Sequence, residues 1–228
     1  EIYQCDWSSD VCSSDLAGAM NAAVMAAAHA EGGNTAAREA LEKFWQRVAQ
    51  AATFSPLKRS PIDVLMGRWS LDNSPAYLAF DLMARVFSPY DLALGPNPLE
   101  KVLAESIDFG KLATAPMKLF ITATNVRTGR PRVFRNAELN ANALLASACL
   151  PAMFQAVEID GEAYWDGGYS GNPTMTPLVG ECVSDDTILV AINPVQRPGI
   201  PRSAREILDR LNEVSFNAVL LKELRSEE

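Results

Sequence analysis

Apolar residues recur at helical spacing in the first and last thirds of this chain and at strand spacing in between. From Ala17 to Ala30 nearly every residue is small and apolar, which predicts a tightly packed core helix too short to span a membrane. Gly32-Gly33-Asn34 predicts a break, and a second helix follows with Ala37, Leu41, Phe44, Val48 and Ala52 on one face. Further helices are predicted over 62–69, 76–86 and 99–107, with a proline-containing loop over 88–98. Met66, Trp69, Tyr77, Phe80, Met83 and Phe87 gather in these helices; core packing is the first expectation for them, and an acyl-chain pocket the second.

Between 117 and 126 the residues become β-branched and apolar, turn at Thr128-Gly129-Arg130-Pro131, and return through Arg132-Val133-Phe134. Residues 139–149 predict a helix ended by Pro151, and Val157-Glu-Ile159 with Ala163-Tyr-Trp165 around Asp160-Gly161 predicts a β-hairpin. The apolar run 187–193 reads as a strand buried on both faces of a parallel sheet. The last helix opens with a capping box, Ser203 and Glu206, and carries Ile207, Leu211, Val214, Ala218 and Leu221 on one stripe. Strands separated by helices predict an α/β layered fold, with a mostly parallel central sheet flanked by helices.

Residues 1–16 break this order, having neither period and no apolar strand before the first helix. They resemble the translated sequencing-adapter peptide found at broken ends of assembled reading frames, and residues 225–228 resemble the start of a companion peptide. Both ends are therefore set aside from fold reasoning. A natural tail on a degenerate enzyme is the alternative. The organisation expected is a foreign segment over 1–16, one domain over 17–224 lacking its N-terminal strand, and a foreign tail over 225–228.

The whole chain has 228 residues, 48% of them hydrophobic, enough to bury a core. Its formal charge of −8 argues against nucleic acid; Glu1, Asp6, Asp10 and Asp15 supply four of those charges, leaving −4 on the rest. Cys5 and Cys12 fall in the foreign segment, while Cys149 and Cys182, in apolar surroundings without metal-ligand spacing, are expected to be buried free thiols.

The chemistry centres on Asp166-Gly167-Gly168, a carboxylate on a glycine-rich turn directly after the predicted hairpin. Together with Ala17-Gly18-Ala19-Met20-Asn21-Ala22-Ala23 and Ala146-Ser-Ala-Cys-Leu-Pro-Ala-Met-Phe154, in that order, this turn resembles the patatin-like phospholipase family from about Ala17 to Leu224. The resemblance implies a serine nucleophile on a Gly-x-Ser-x-Gly elbow, the aspartate of the Asp-Gly-Gly turn as its proton acceptor, and an oxyanion hole from a glycine-rich turn upstream. Aligning Ala17-Gly18 with the end of the elbow puts Ser14 at its first glycine and Leu16 at the nucleophile. Leucine has no nucleophilic atom, and Ser13 or Ser14 is two or three residues out of register. The oxyanion turn is missing as well, so the chain as written is expected to be inactive.

A Ser-His-Asp triad is unsuited to this chain, because His29, the sole histidine, lies eleven residues beyond Gly18, roughly 16 Å along a helix. Without the companion segments, Asp166 would read as a turn cap and Gly167-Gly168 as conformational slack. Burial against Trp165 and Tyr169 would make Asp166 more basic. Ser147 reads as a structural serine, Asn172-Pro173 as shaping the Asp166 loop, and Asn125 and Arg127 as occupants of a strand end.

The expected parent cleaves acyl lipids or phospholipids, with contact to a membrane surface, no transmembrane span, no nucleic-acid partner and neither metal nor organic cofactor. A non-catalytic acyl-lipid or protein-binding module is the alternative. A nucleotide-binding α/β protein is disfavoured because no Gly-x-Gly-x-x-Gly follows a strand. A cytoplasmic location is the default, any signal having been lost with the native N-terminus.

Overall fold

A computed structural model describes residues 4–5, 11–14, 16–52, 65–67, 74–91, 97–171, 174–181, 187–190 and 194–227. Two short strands, β1 (Gln4–Cys5) and β2 (Val11–Ser14), precede the long helix α1 (Leu16–Ala51). Inside α1, Gly32 (φ −149°, ψ 21°) and Gly33 (φ 66°, ψ −154°) leave helical geometry. The second of these conformations is essentially restricted to glycine, so the predicted Gly-Gly break is the point where one helix becomes two. Ala19, Ala22, Ala23 and Ala26 are all but fully buried. Small side chains let the first half lie close against its neighbours. Asn21, an interruption in the apolar run, accepts a 2.8 Å hydrogen bond from Trp45 Nε1 and so ties the second half to the first. Ala37 and Phe44 are buried on the predicted face, whereas Ala52 is exposed.

Among the described residues the helices α2 (Pro75–Val86), α3 (Pro98–Ser106) and α4 (Phe109–Ala113) follow. Asn97 caps α3 through Leu99 N at 3.0 Å, and Asp108 caps α4, a helix the periodicity misses, through Lys111 N at 3.1 Å. The centre of the molecule is β3 (Lys118–Asn125), which forms a hairpin with β4 (Pro131–Arg135). A 3₁₀ turn (Asn136–Glu138) and helix α5 (Ala141–Ser147) lead to β5 (Val157–Ile159) and β6 (Glu162–Asp166). Asp160 (φ 54°) and Gly161 (φ 78°) both have the positive φ of a two-residue hairpin turn. After a second 3₁₀ turn (Gly167–Tyr169) come α6 (Thr176–Glu181), β7 (Thr187–Ile188) and α7 (Ala204–Glu227), which opens with the predicted Ser203/Glu206 capping box.

The pairing around β3 positions the site. Antiparallel β4 takes one edge of β3 from Phe120 to Thr124. A strand has two edges, so the other edge is shared: parallel β2 runs along Lys118 to Ile121, and antiparallel β6 along Ala123 to Asn125. β2 and β6 therefore end head to head, Ser14 opposite Ile121 and Asp166 opposite Ala123. Along β3 the side chains alternate. Leu119, Ile121 and Ala123 join the main core with α1, α3 and α5, while Phe120 packs with Met175 and Leu178 of the α6 region. Thr122 and Thr124 share the face of Phe120.

Mixed helix and strand agree with an α/β fold, but several expectations are corrected. Among the described strands only β2–β3 is parallel, and β1–β7, β3–β4, β3–β6 and β5–β6 are antiparallel. The apolar run expected over 187–193 is described as strand at Thr187–Ile188, paired antiparallel with β1; residues 191–193 lie outside the described residues. The continuous burial read into it belongs to β3, covered on both faces. A strand does precede α1, where none was expected, since sheet pairing uses backbone groups and tolerates sequences without strand periodicity.

The stripe Ile207, Leu211, Val214 and Leu221 is exposed, and α7 instead buries Asn217 and Leu220. Met66, Met83 and Phe87, expected in the core, are exposed too. Periodicity identifies residues sharing a face without identifying what covers that face. Most of the predicted 62–69 helix lies outside the described residues. No helix among them is long and apolar enough to cross a membrane.

Candidate active site

Asp166 ends β6, caps the 3₁₀ turn that follows, and is fully buried, at 0% exposure. Its amide, its carbonyl and one carboxylate oxygen are held. Its amide donates to Cys149 O at 2.9 Å, its carbonyl accepts from Thr124 Oγ1 at 2.7 Å, and its Oδ1 accepts from Gly168 N at 2.7 Å. Thr124 Oγ1 also lies 2.7 Å from Ser170 Oγ, and Gly167 O accepts from the amides of Ser170 (3.0 Å) and Gly171 (2.9 Å). Nearby, Thr122 and Thr174 share a hydroxyl hydrogen bond of 2.9 Å.

Two glycines are required by space. A Cβ on Gly171 would fall 2.3 Å from Thr174 Oγ1, and one on Gly168 would fall 2.5 Å from Cε1 of Phe216. A surface turn cap needs no burial, whereas a buried carboxylate is costly unless hydrogen-bonded.

The surroundings register its charge. Burial pushes the Cys149 thiol up to about 11, against an opposing hydrogen bond with the backbone of Val157 and with a smaller upward contribution from Asp166. Cys149 is buried, and its Sγ donates to Gln155 O at 3.2 Å, so it is a structural thiol and no nucleophile at neutral pH. The Tyr169 phenol is raised likewise, by burial first and then by Asp166 and Cys149. Tyr169 is half exposed and packs on Phe216, with ring centroids 5.2 Å apart, while Trp165 is half-buried.

Where β2 ends, Leu16 is the first residue of α1, with Ala17 half-buried and Gly18 buried behind it. By register Ser14 and Asp166 face β3 residues two apart, about 7 Å along the strand. Leu16-Ala17-Gly18 and the turn Asp166-Gly167-Gly168 thus lie at one junction. His29 is on α1, eleven residues past Gly18.

Ser147, at the end of α5, is fully buried, and its Oγ has no hydrogen-bond partner among the described residues. Asn125 and Arg127 are engaged by Glu162: Asn125 Nδ2 donates to it at 2.9 Å, and Arg127 forms an ion pair with it. These contacts clamp the β3–β4 turn to the β5–β6 hairpin. Asn172, Pro173 and Cys182 lie outside the described residues. Sequence reasoning missed Thr122, Thr124, Ser170 and Phe216. The signal for the two threonines is polar residues at alternate positions of an otherwise apolar strand; Phe216 has none.

Compared with known families, residues 17–179 match the one described as Patatin-like phospholipase. No curated protein matches the chain. The match begins one residue after Leu16 and ends within α6.

Proposed function

The chain belongs to the patatin-like phospholipase family, a family of lipid acyl hydrolases, and from that premise we propose that residues 17–224 are a serine acyl hydrolase domain whose proton acceptor is Asp166 and whose nucleophile position holds Leu16. The reading rests on one observation above all: a fully buried aspartate on a glycine turn where β6 meets the end of β2. In the intact domain a serine at the head of α1 attacks the acyl carbonyl while Asp166 takes its proton. The acyl-serine forms, the alcohol leaves with that proton, and water then repeats the exchange to release the acid. Such a pair needs no histidine, in keeping with the position of His29.

Residues 1–16 and 225–228 are, on this proposal, foreign to the domain, and residues 1–16, which contain no glycine, supply no glycine-rich oxyanion turn. Gly18 and the amide of Ala17 are the surviving elbow pieces. The chain as written is therefore expected to resist a fluorophosphonate probe and to leave a short-chain ester intact. Stoichiometric labelling mapped to Ser13 or Ser14 would overturn the register; Ser14, close to Asp166 by strand pairing, makes this a severe test.

Leu16 itself favours a second reading, a non-catalytic acyl-lipid or protein-binding module on the same fold. The uninterrupted reading frame upstream of Ala17 separates the two. Gly-x-Ser directly before Ala17 supports the hydrolase, and leucine there supports the binder.

A further inference from the structure

Helix α7 lies entirely beyond the family match, yet it closes over the turn that carries Asp166. A Cβ on Gly168 would meet Phe216 Cε1 at 2.5 Å and Cδ1 at 2.8 Å, with Asp166 Oδ1 at 3.2 Å. Ring and carboxylate therefore close on the same glycine. The Tyr169 ring, the other end of this turn, stacks on Phe216 at a tilt of 48°. Around Phe216, α7 is seated firmly: Asn217 and Leu220 are buried, and Asn217 Nδ2 donates to Pro194 O at 3.1 Å. Arg210 donates to Pro194 O at 3.2 Å and Val195 O at 3.0 Å. Arg197 and Arg210 both pair with Glu213.

A three-residue 3₁₀ turn opening with two glycines has little stiffness of its own. The hydrogen bond from Gly168 N to Asp166 Oδ1 fixes the carboxylate, and it is strongest where water is excluded. We propose that Phe216 is a positioning residue for Asp166: its ring presses on Gly168, keeps the Gly168 amide on Oδ1, and makes the C-terminal helix a working part of the site. Only the catalytic meaning of this contact rests on Asp166 being the proton acceptor.

Amide exchange and proton NMR on the full chain as written test it without any nucleophile. In Phe216→Ala, the Gly168 amide is expected to lose its downfield shift and to exchange about tenfold faster or more, while the Asp166 amide, bonded to Cys149 O, keeps its protection. Phe216→Leu, which retains bulk, restores most of the effect. An unchanged Gly168 amide overturns the proposal, as does equal acceleration across β6, which marks a merely structural contact. Should Phe216→Ala not fold, Gly168→Ala supplies the second measurement. Its methyl must displace the ring, so its drop in Tm is expected to be smaller in a Phe216→Leu background, and an equal drop in both overturns the contact. An elbow-restored protein in which Asp166→Asn leaves turnover intact would defeat the catalytic reading while leaving the exchange result standing.

Discussion

The two strand ends that meet beside β3 differ in what fixes them. The β6 end is specified atom by atom: Asp166 is buried, its amide, carbonyl and carboxylate each have a hydrogen bond, and Gly168 and Gly171 leave no room for a side chain. The β2 end is specified through the backbone, by a four-residue parallel pairing that leads into α1. A strand position can be occupied by any sequence able to lay its amides and carbonyls along an open edge. A catalytic position cannot, because one hydroxyl in one place is required. The fold can therefore persist at a site whose chemistry has gone, the condition proposed for Leu16 beside the Asp166 turn.

Breaking the asymmetry is the largest test. Restoring a native-type strand, glycine-rich turn and Gly-x-Ser elbow before Ala17 is expected to create an esterase, whereas the chain as written is expected to show no such activity. In that protein Asp166→Asn should lower kcat by about 10²- to 10⁴-fold, the usual cost of losing a general base, and His29→Ala should leave the rate near that of the restored protein. Abolition of turnover by a well-folded His29→Ala variant would sink the dyad.

The next test reads the β6 end through its neighbour. With its thiol pushed up to about 11 and buried, Cys149 should be alkylated by iodoacetamide at pH 8 at least about a hundredfold more slowly than an ordinary cysteine, measured by peptide mass spectrometry. The raised value also sets a sign. The folded state favours the neutral thiol, so this contribution is full below about pH 9 and is lost as pH rises toward 11. A Cys149→Ala variant should show a shallower alkaline fall in stability, and an unchanged slope would separate the thiol from the Asp166 environment.

Smaller still is the effect of loosening the frame. Thr124→Val removes the hydroxyl that Asp166 O and Ser170 share and should cost about 1–3 kcal/mol in denaturant unfolding. Gly171→Ala, driving a methyl into Thr174 Oγ1, should cost a similar amount. If neither variant loses stability, the turn is held by something other than these contacts.

What was legible in the sequence follows the same division. Gly32-Gly33, Asp160-Gly161, the Ser203/Glu206 box and the 117–134 hairpin are local signals, each acting within a few residues, and each appears where expected. The Asp-Gly-Gly turn was legible because its glycines and carboxylate lie together. Partners distant in sequence were not. Nothing in Val11-Cys-Ser-Ser14 announces pairing with β3, nothing in the stripe of α7 says that Phe216, Asn217 and Leu220 would turn inward, and Phe216 reaches Gly168 across forty-eight residues. The mostly parallel sheet failed for a related reason: strand propensity gives no direction, and two of the described pairings, β3–β4 and β5–β6, are hairpins and so antiparallel.

The smallest expected effect lies at the β2 end and completes the contrast. If Val11–Ser14 contribute through backbone pairing alone, substitutions that keep a strand-competent backbone should be nearly neutral, so Val11→Ala and Cys12→Ala are each expected to change stability by less than about 0.5 kcal/mol, the range of changes that disturb no packed core. Amide exchange at the same residues should show shallow protection, set by local opening of the pairing and not by global unfolding. A proline at Cys12 tests the backbone itself, since it removes an amide donor and strains the strand; it should release the pairing while the Gly168 amide stays protected. Deep protection over residues 11–14, or a loss of more than about 2 kcal/mol from Val11→Ala, would mean that the segment is packed as part of the core, and the claim that residues 1–16 are foreign to the domain would have to be abandoned.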